Sequence, residues 1–400
     1  MLKKLIDPIS EEEFFSEYWE KKPLFIQRQD PSYFSGLMSF EDLDEILTGR
    51  EILEENLRVI DTPISKCYAG SDLSCKLVYH YYGNDKTVVL KQVQSLWGPV
   101  RKFCYLINKS FRFISGVCAN AYLTQAETQG FVPHYDTHEV FIVQLEGSKL
   151  WKLYDTLLDF PMPNQPVYSE FPQGTSLGSP TMEVEMFPGD VLYIPGGLVH
   201  EAKCFETASL HLTLGWDTVT FAGLLDSQAK AFSEKFPEQQ VSIPFASYFL
   251  GAPTGGEKEK QEAQKWVESL VDQYFEPSKF SMALRDISGD WRAGHEVFLE
   301  GQLRMADSLR KGELSLNSLI APRDPFIPYS CEKSEEGFVN LSFHDTNLRV
   351  SQAQEEIFRH ILSIEKCRVK DLPGDLSDNE KLDFIRLMVM ECVVSLSITE

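Results

Sequence analysis

The sequence predicts an α+β fold centred on a double-sheet jelly roll or a related barrel of short strands. From about Gly116 to Gly215, segments of strand-forming residues alternate with turns that contain Gly or Pro, and no long helical pattern interrupts them. The regions on either side show helical spacing and helix-start signals instead. The six predicted strands are VCANAYLT (117–124), VFIVQL (140–145), KLWKLY (149–154), MEVEMF (182–187), DVLYIP (190–195) and SLHLTLG (209–215).

The sequence before Gly116 has the patterns of helices with short strands between them. Ser10 is a helix N-cap candidate, and Glu13 follows three residues later, which is the pattern of a capping box. The predicted elements, in order, are a helix Ile9–Trp19, a strand Leu24–Gln27, a helix Ser39–Leu47, strands LRVI (57–60), KLVYHYY (76–82) and TVVLK (87–91), and a helix Ser95–Phe113.

The region after Trp216 predicts a helical segment and then a small separate unit. The apolar stripe of its second helix must pack against the barrel or a second subunit. We therefore predict three domains: the jelly roll with its N-terminal segment (1–218), a helical region (219–305) and a winged-helix-like module (306–400). The predicted elements are helices Leu224–Phe236, Lys260–Phe275 and Ser351–Ser363, the extended stretch CRVKDLP (367–373), and a helix that a Ser377–Glu380 capping box opens and that runs through Met390.

Length and charge limit the class of protein. The chain has 400 residues, which is longer than one ordinary domain. Its hydrophobic fraction of 43% is enough for a buried core. Its 60 acidic residues outnumber 38 basic ones, for a net charge of −22, and they are spread along the whole chain. This charge disfavours direct binding to a nucleic-acid backbone and attracts a basic protein partner.

The cysteines and the N-terminus indicate the compartment. The eight cysteines are scattered and form no C-x-x-C pair, which predicts reduced thiols rather than a disulfide framework. The segment MLKKLIDPISEEEFF has no long apolar run and soon becomes acidic, so we expect no secretory signal and no transmembrane helix. The predicted location is the cytoplasm, without membrane attachment.

Three side chains in the strand-rich centre form a candidate metal site. His134 and Asp136 are two residues apart on an extended segment, where they point to the same side, and His200 lies at the end of another strand unit. Two imidazoles and one carboxylate with open positions suit non-haem Fe(II) and O2 chemistry. A His-x-Asp pair alone is also common in solvated turns, and His200 alone can equally be a core or surface residue.

Lys149 is a candidate anion-binding residue. On a strand, Lys149 shares a face with Trp151 and Leu153, so its ammonium lies on a largely apolar face and needs a partner. If an Fe(II) site uses a 2-oxo acid, the far carboxylate of that acid is a suitable partner, since a charge-assisted hydrogen bond forms between the two. The alternative is an ordinary solvated lysine.

Several segments together resemble one known family. The stretches PHYDTHEVFIVQLEGSKLWKLY, PGDVLYIPGGLVHEA and SLHLTLGW resemble the Jumonji-C-type (JmjC) cupin domain of the ribosomal oxygenases, which are 2-oxoglutarate- and Fe(II)-dependent hydroxylases of ribosomal proteins. The segments FFSEYWEKKPLFIQR and VKDLPGDLSDNEKLDFIRLMVME are similar to the family's N-terminal and winged-helix segments, so the resemblance covers essentially the whole chain.

The resemblance implies roles for individual residues. His134, Asp136 and His200 would bind Fe(II), and Lys149 would pair with the distal carboxylate of 2-oxoglutarate, with O2 as the third reactant. The family also implies a double-stranded β-helix core, a helical dimerisation region at 219–305 and a homodimer. Further expected pocket residues are Asn120 and Tyr122, with His211 either in the pocket floor or in the core.

Two positions depart from the family pattern. His138 stands where a small apolar residue is expected, and Gly215 stands where some members carry Ser near the 2-oxoglutarate. Both departures bear on the shape of the pocket, and so on which substrate it takes.

The implied activity is hydroxylation of a His or Arg side chain in a basic ribosomal protein, with release of succinate and CO2. Two other interpretations stay open at the level of sequence. One is a cupin metalloenzyme that does not use 2-oxoglutarate, and the other is an inactive relative that acts in ribosome assembly or as a scaffold. Lys149 with Asn120 argues against the first, and the intact triad argues against the second.

Overall fold

The computed structural model of the chain contains two compact units, Met1–Thr218 and Val219–Glu400. It describes residues 2–49, 56–61, 66–69, 73–108, 114–156, 160–161, 177–218, 220–223, 225–226, 229–230, 261, 264–265, 268, 299–324, 327, 329–334 and 336–397.

The first unit is built on eight strands, β5 to β12, that are divided equally between two facing antiparallel sheets. The larger sheet has the order β1-β10-β7-β12-β5-β4-β2-β3, and the smaller one has the order β6-β11-β8-β9. This arrangement is the predicted jelly roll, or double-stranded β-helix. The strands are β1 Leu24–Ile26, β2 Leu57–Asp61, β3 Lys66–Ala69, β4 Thr87–Leu90, β5 Ile114–Thr124, β6 Gln129–His134, β7 Glu139–Glu146, β8 Lys149–Thr156, β9 Met182–Met186, β10 Val191–Ile194, β11 Leu198–Lys203 and β12 Ser209–Thr218.

Two of the eight strands, β6 and β11, are absent from the six predicted segments. They read QGFVPH and LVHEAK, with Gly, Pro and polar residues in place of the usual strand formers. These strands keep their conformation because β11 pairs with both β6 and β8, so sheet hydrogen bonds outweigh local propensity.

Alternating side chains of the larger sheet face two different environments. On β5 and β12, residues such as Ala121 and Leu212 enter a core on the outer side of the sheet, and the residues between them face the smaller sheet. A second core, which includes Trp151, Leu153 and Ile142, fills one part of the space between the sheets. The other part is lined by polar side chains and contains the candidate site.

The N-terminal segment covers the outer face of the larger sheet. Phe14 packs its ring against Phe141 and Tyr193, with centroids 5.5 and 5.1 Å apart. The Ser10 side chain accepts a hydrogen bond from the Glu13 N–H as predicted. The single helix predicted over 9–19 is instead a short helix followed by a π-helical turn. The elements are α1 Leu2–Ile6, α2 Glu11–Glu13, the π-helix Phe14–Tyr18 and α3 Phe40–Gly49.

Two further predictions in this region were wrong. KLVYHYY is not a strand but most of helix α4, Cys75–Tyr82, which begins where the Ser74 side chain accepts from the N–H of Leu77. The helix predicted from Ser95 is two helices, α5 Val93–Leu96 and α6 Gly98–Asn108. Pro99 separates them because its ring would clash with the carbonyl four residues earlier in one continuous helix. The predicted end at Phe113 lies outside the described residues.

The second unit has its own core and two three-stranded antiparallel sheets, β17-β13-β18 and β14-β15-β16. Helices α8 and α9 both begin with capping boxes, made by Ser351 with Gln354 and by Ser377 with Glu380. The elements are α7 Gln302–Arg310, α8 Gln352–Ser363, α9 Asp378–Met390, β13 Leu319–Pro322, β14 Tyr329–Lys333, β15 Val339–Phe343, β16 Thr346–Val350, β17 Cys367–Arg368 and β18 Val394–Leu396.

The domain predictions for the second unit stay predictions. The stretch CRVKDLP forms β17 and then a 3₁₀ turn, Val369–Asp371. The helices predicted at 224–236 and 260–275, and with them the dimerisation region, lie almost wholly outside the described residues. Within the described ranges, no helix combines the length and apolar character needed to span a bilayer. Seven described cysteines are free thiols, of which Cys104 and Cys204 are buried.

A glycine in the β7–β8 turn offers a test of this fold. Gly147 has φ +64°, and a β-carbon there would lie 1.7 Å from the carbonyl oxygen of Ala208. Gly36 has φ +77° but open space around it, so Gly36→Ala should cost only the roughly 1–2 kcal/mol of a left-handed alanine. Gly147→Ala should lower the free energy of unfolding by clearly more, as measured by urea denaturation. Equal losses for both variants would contradict this packing.

Candidate metal centre

The centre is assembled where β6 and β11 pair. His134 and His200 are direct antiparallel partners, and their ring centroids are 4.4 Å apart. Asp136 follows β6 in the chain, and its Oδ2 lies 3.7 Å from Nε2 of His200. One ligand atom from each of the three residues lies within 4.8 Å of the other two, which is close enough to hold one metal ion. The structure thus brings together the three side chains that the sequence singled out.

Backbone carbonyls orient both imidazoles. Nδ1 of His134 lies 2.9 Å from the carbonyl oxygen of Val132, and Nδ1 of His200 lies 3.0 Å from that of Leu198. A carbonyl can only accept, so Nδ1 carries the proton in each ring and Nε2 keeps its lone pair. Fixing the tautomer in this way is how metal-binding histidines are prepared for their ligand role.

The backbone around His200 is irregular, and a buried carboxylate holds it. The strand register shifts on both sides of His200, against β8 before it and against β6 after it. In the preceding turn, Oε1 of Glu139 accepts from the Gly196 N–H at 3.1 Å, and the Gly197 N–H donates to the carbonyl of Asp136 at 2.8 Å. The hydroxyl of Tyr193 donates to the other oxygen of Glu139. Glu139 therefore links the segments that carry Asp136 and His200.

The pKa values of the centre favour metal binding at neutral pH. Burial, together with the charge of His134, lowers the pKa of His200 to about 4, so this imidazole is neutral. Burial acts to raise the pKa of Asp136, but the nearby histidines outweigh it and hold the pKa below its usual value. A neutral imidazole and an ionised carboxylate are the forms that coordinate a metal.

Lys149 projects between the sheets, as expected from its position beside Trp151 and Leu153. Its side chain is 3% exposed, and Nζ donates to Oγ1 of Thr124 at 2.9 Å. Burial lowers the pKa of Lys149 to about 8, so it is still mainly charged at pH 7. No carboxylate of a described residue lies within salt-bridge distance of it. A β-carbon on Gly130 would lie 3.2 Å from Nζ, so a glycine at this point of β6 makes room for the ammonium.

Asn120 and Tyr122 face the space between the sheets from β5, and His211 faces it from the paired position on β12. The rings of Tyr122 and His211 stack at 4.9 Å. His211 is 2% exposed, and burial and the charge of Lys149 lower its pKa well below the usual value. Its Nδ1 has no hydrogen-bond partner among the described residues. Asn120 Oδ1 accepts from the N–H of Gln92 at 3.0 Å.

The two departures from the family pattern lie against each other. A β-carbon on Gly215 would lie 2.7 Å from Nε2 of His138. Sequence reasoning treated these positions separately and missed their contact, because His138 precedes β7 whereas Gly215 lies on β12, far along the chain. It also missed Glu139 and Thr124, whose roles depend on partners distant in the chain. The acidic residue directly before the apolar run of β7 was the available signal for Glu139.

Comparisons with known proteins agree with this geometry. Residues 99–224 match the family described as JmjC domain. Ribosomal oxygenase 1 of Gallus gallus is 34% identical over 225 residues, 52% of this chain and 35% of that protein. The bifunctional lysine-specific demethylase and histidyl-hydroxylase NO66 of Aedes aegypti is 34% identical over 423 residues, 96% of this chain and 65% of that protein. The chain spans 32% to 65% of the length of such curated relatives.

Solved structures share the fold. A crystal structure of Escherichia coli ribosomal oxygenase YcfD has a TM-score of 0.55 at 14% identity, covering 97% of this chain and 98% of that chain. A structure of YcfD in complex with cobalt and 2-oxoglutarate has a TM-score of 0.55 at 15% identity, covering 98% of this chain and 99% of that chain.

The chain supplies a matched pair of histidines to test the centre. His200→Ala should weaken Co(II) binding by more than about 100-fold, because it removes a ligand rather than a supporting contact. His211→Ala removes an equally buried imidazole on another strand and should change the affinity only slightly. Isothermal titration calorimetry at pH 7 measures both. If His211→Ala weakened Co(II) binding as much as His200→Ala, the assignment of the three ligands would be wrong.

Proposed function

The chain belongs to the JmjC-domain family of ribosomal oxygenases, and we propose that it is itself a 2-oxoglutarate- and Fe(II)-dependent oxygenase that hydroxylates a side chain of a protein. The observation that carries the proposal is the pairing of two features in one cavity. The His134–Asp136–His200 cluster lies between the same two sheets as a buried lysine that has no acidic partner among the described residues.

The residues fit both cofactors chemically. Two neutral imidazoles and a carboxylate on one side of an ion are the donor set of non-haem Fe(II) oxygenases, and they leave positions open for other ligands. When bound, Fe(II) and 2-oxoglutarate supply the oxidising chemistry, with O2 consumed and succinate and CO2 released. The protein contributes the fixed ring orientations of His134 and His200 and an ionised Asp136.

Lys149 is the proposed anchor for the distal carboxylate of 2-oxoglutarate. A buried ammonium that donates to one neutral hydroxyl still has unused N–H groups, and an anion would satisfy them. Nδ1 of His211, for which the described part of the chain provides no hydrogen-bond partner, lies in the same lining and offers a further polar contact. We assign Tyr122 and Asn120 to the wall of this pocket, between Lys149 and the metal ligands.

The proposed substrate is a basic ribosomal protein, hydroxylated on a His or Arg side chain. The net charge of −22 supports this choice, since opposite charge speeds the encounter with a basic partner and disfavours nucleic acid. The names of the matched relatives point the same way, one being a ribosomal oxygenase and one a histidyl-hydroxylase and lysine demethylase. The homodimer and the cytoplasmic location stay predictions of the sequence.

Turnover of 2-oxoglutarate tests the proposal directly. The wild-type protein with Fe(II), 2-oxoglutarate and O2 should form succinate, and ribosomal protein stripped from ribosomes of the same organism should increase the rate. Mass spectrometry should then find a gain of one oxygen atom on a His or Arg residue. Asp136→Ala should form no succinate. A protein that binds metal but never consumes 2-oxoglutarate would instead be a different cupin enzyme or an inactive relative.

The lowered pKa of Lys149 makes the binding of 2-oxoglutarate dependent on pH. Above its pKa of about 8, Lys149 loses its charge in the free protein, so affinity should fall by up to about tenfold per pH unit. Lys149→Arg should remove this dependence, because a guanidinium stays protonated. Calorimetric titration with 2-oxoglutarate between pH 6.5 and 9.5 measures how the affinity changes with pH. This range spans about 1.5 pH units on each side of the Lys149 pKa.

Lys149→Met is the matched control for that experiment. It removes the charge but keeps most of the volume, and it should bind metal while losing affinity for 2-oxoglutarate. Because the folded state holds the Lys149 charge at a cost below pH 8, this variant should be at least as stable as the wild type at pH 7. Identical pH profiles for Lys149 and its Arg variant would remove this residue from the pocket.

A further inference from the structure

His138 occupies the space that any side chain at position 215 would need. A β-carbon on Gly215 would lie 2.7 Å from Nε2 and 2.8 Å from Cδ2 of the His138 ring. The φ angle of Gly215 is not positive, so its backbone conformation does not require glycine. The glycine is needed here to seat the imidazole, and the two residues form one structural pair, the His138–Gly215 pair.

The pair lies at the opposite end of the site from Lys149. Along the paired strands β12 and β5, Gly215 is opposite Cys118, whereas Ser209 is opposite Thr124, the residue that accepts from Lys149. Six residues of strand separate these two positions, or about 20 Å. The carbon chain of 2-oxoglutarate has four C–C bonds of about 1.5 Å each, so a molecule anchored at Lys149 does not reach Gly215. This differs from the position near the co-substrate that the family pattern implies for residue 215.

The His138 ring is also near the metal ligands and reachable from outside. His138 follows Asp136 by two residues, and its backbone packs on Gly196 in the turn that leads to His200. Its side chain is partly exposed, whereas Lys149 is buried. With the co-substrate held at the buried Lys149 end, the partly exposed side of the centre at Asp136 and His138 is the side on which a macromolecular substrate can meet the metal.

We propose that His138, seated on Gly215, contacts the protein substrate at the entrance to the metal centre and helps to select it. This rests on the proposed function, because it requires a substrate that enters from outside. An imidazole offers a ring nitrogen acceptor for the N–H groups of a basic peptide, in its backbone or in a His or Arg side chain. His138 is then a specificity-determining residue that is neither a metal ligand nor a 2-oxoglutarate contact.

The steric half of the proposal is tested by a double-mutant cycle on stability. Gly215→Ser in the wild-type background should lower Tm, because the new side chain takes the space of the imidazole and the ring has to turn away from its seat. In the His138→Ala background the same substitution should cost little, since the space is empty. An equal loss of Tm in both backgrounds would show that the two residues do not share this space and would overturn the pairing.

The functional half uses ribosomal protein stripped from ribosomes of the same organism as the probe. His138→Ala should raise the concentration of this fraction that half-saturates succinate formation by tenfold or more. The same variant should keep its Kd for Co(II) and for 2-oxoglutarate within about threefold of wild type, since each threefold step is under 1 kcal/mol. The double variant His138→Ala/Gly215→Ser should have a higher Tm than Gly215→Ser alone, but its half-saturating concentration of the ribosomal fraction should stay as high as that of His138→Ala. This result would separate substrate selection from stability.

The outcomes distinguish this inference from the proposed function. If the wild-type enzyme responds to the ribosomal fraction and His138→Ala responds equally, the inference alone is overturned. A parallel rise in the Kd for 2-oxoglutarate would also overturn it, by making His138 a co-substrate contact. A wild-type enzyme that consumes 2-oxoglutarate but never responds to the fraction would overturn the proposed substrate class first. His80→Ala, an exposed histidine on α4, is the control for removing any imidazole.

Discussion

The antiparallel pairing of β6 with β11 is the interaction on which the candidate metal centre depends. It places His134 directly opposite His200, although the two residues are far apart in the chain. Neither strand has a strong propensity of its own, and each is held by the sheet around it. The hydrogen bonds of the smaller sheet therefore keep both metal-binding imidazoles on the same face. A slip of one residue in the strand register would turn either imidazole to the other face.

Around this pairing, burial sets the pKa of His200 and Lys149, whereas the nearby histidines keep Asp136 ionised. His200 stays neutral because its ring is excluded from water, and Lys149 keeps its charge at neutral pH without a carboxylate among the described residues. A buried ammonium in that condition lowers stability by an amount on the order of its pKa shift, about 3 kcal/mol. Such a cost is understandable where the charge has a ligand to bind.

The His138–Gly215 pair illustrates how one fold can carry different substrate preferences. Gly215 lies on β12 and His138 in the bend just before β7, and a large residue at one position is possible because the other has no side chain. If the large side chain stood at position 215 and the small one at position 138, a different group would face the entrance, while the metal ligands would stay where they are. Together with the fixed turn at Glu139, this separates the part of the site that performs chemistry from the part that meets the substrate.

The sequence by itself determined the jelly-roll class, the His134–Asp136 pair and the apolar face of Lys149, because strand alternation and short spacings are local properties of the chain. His200 was assigned as the third ligand through the family resemblance, and only the pairing of β6 with β11 brings it to the other two. It also determined the capping box at Ser377 and the cap at Ser10, whose partners are three residues away. The helical state of KLVYHYY had a local signal, the Ser74 cap, which the strand prediction overlooked. Only the tertiary structure decided what depends on distant contacts. β6 and β11 became strands through their neighbours. The seat of His138 on Gly215 was likewise decided only when β12 came to lie beside β7, since no local pattern encodes the distance between two strands.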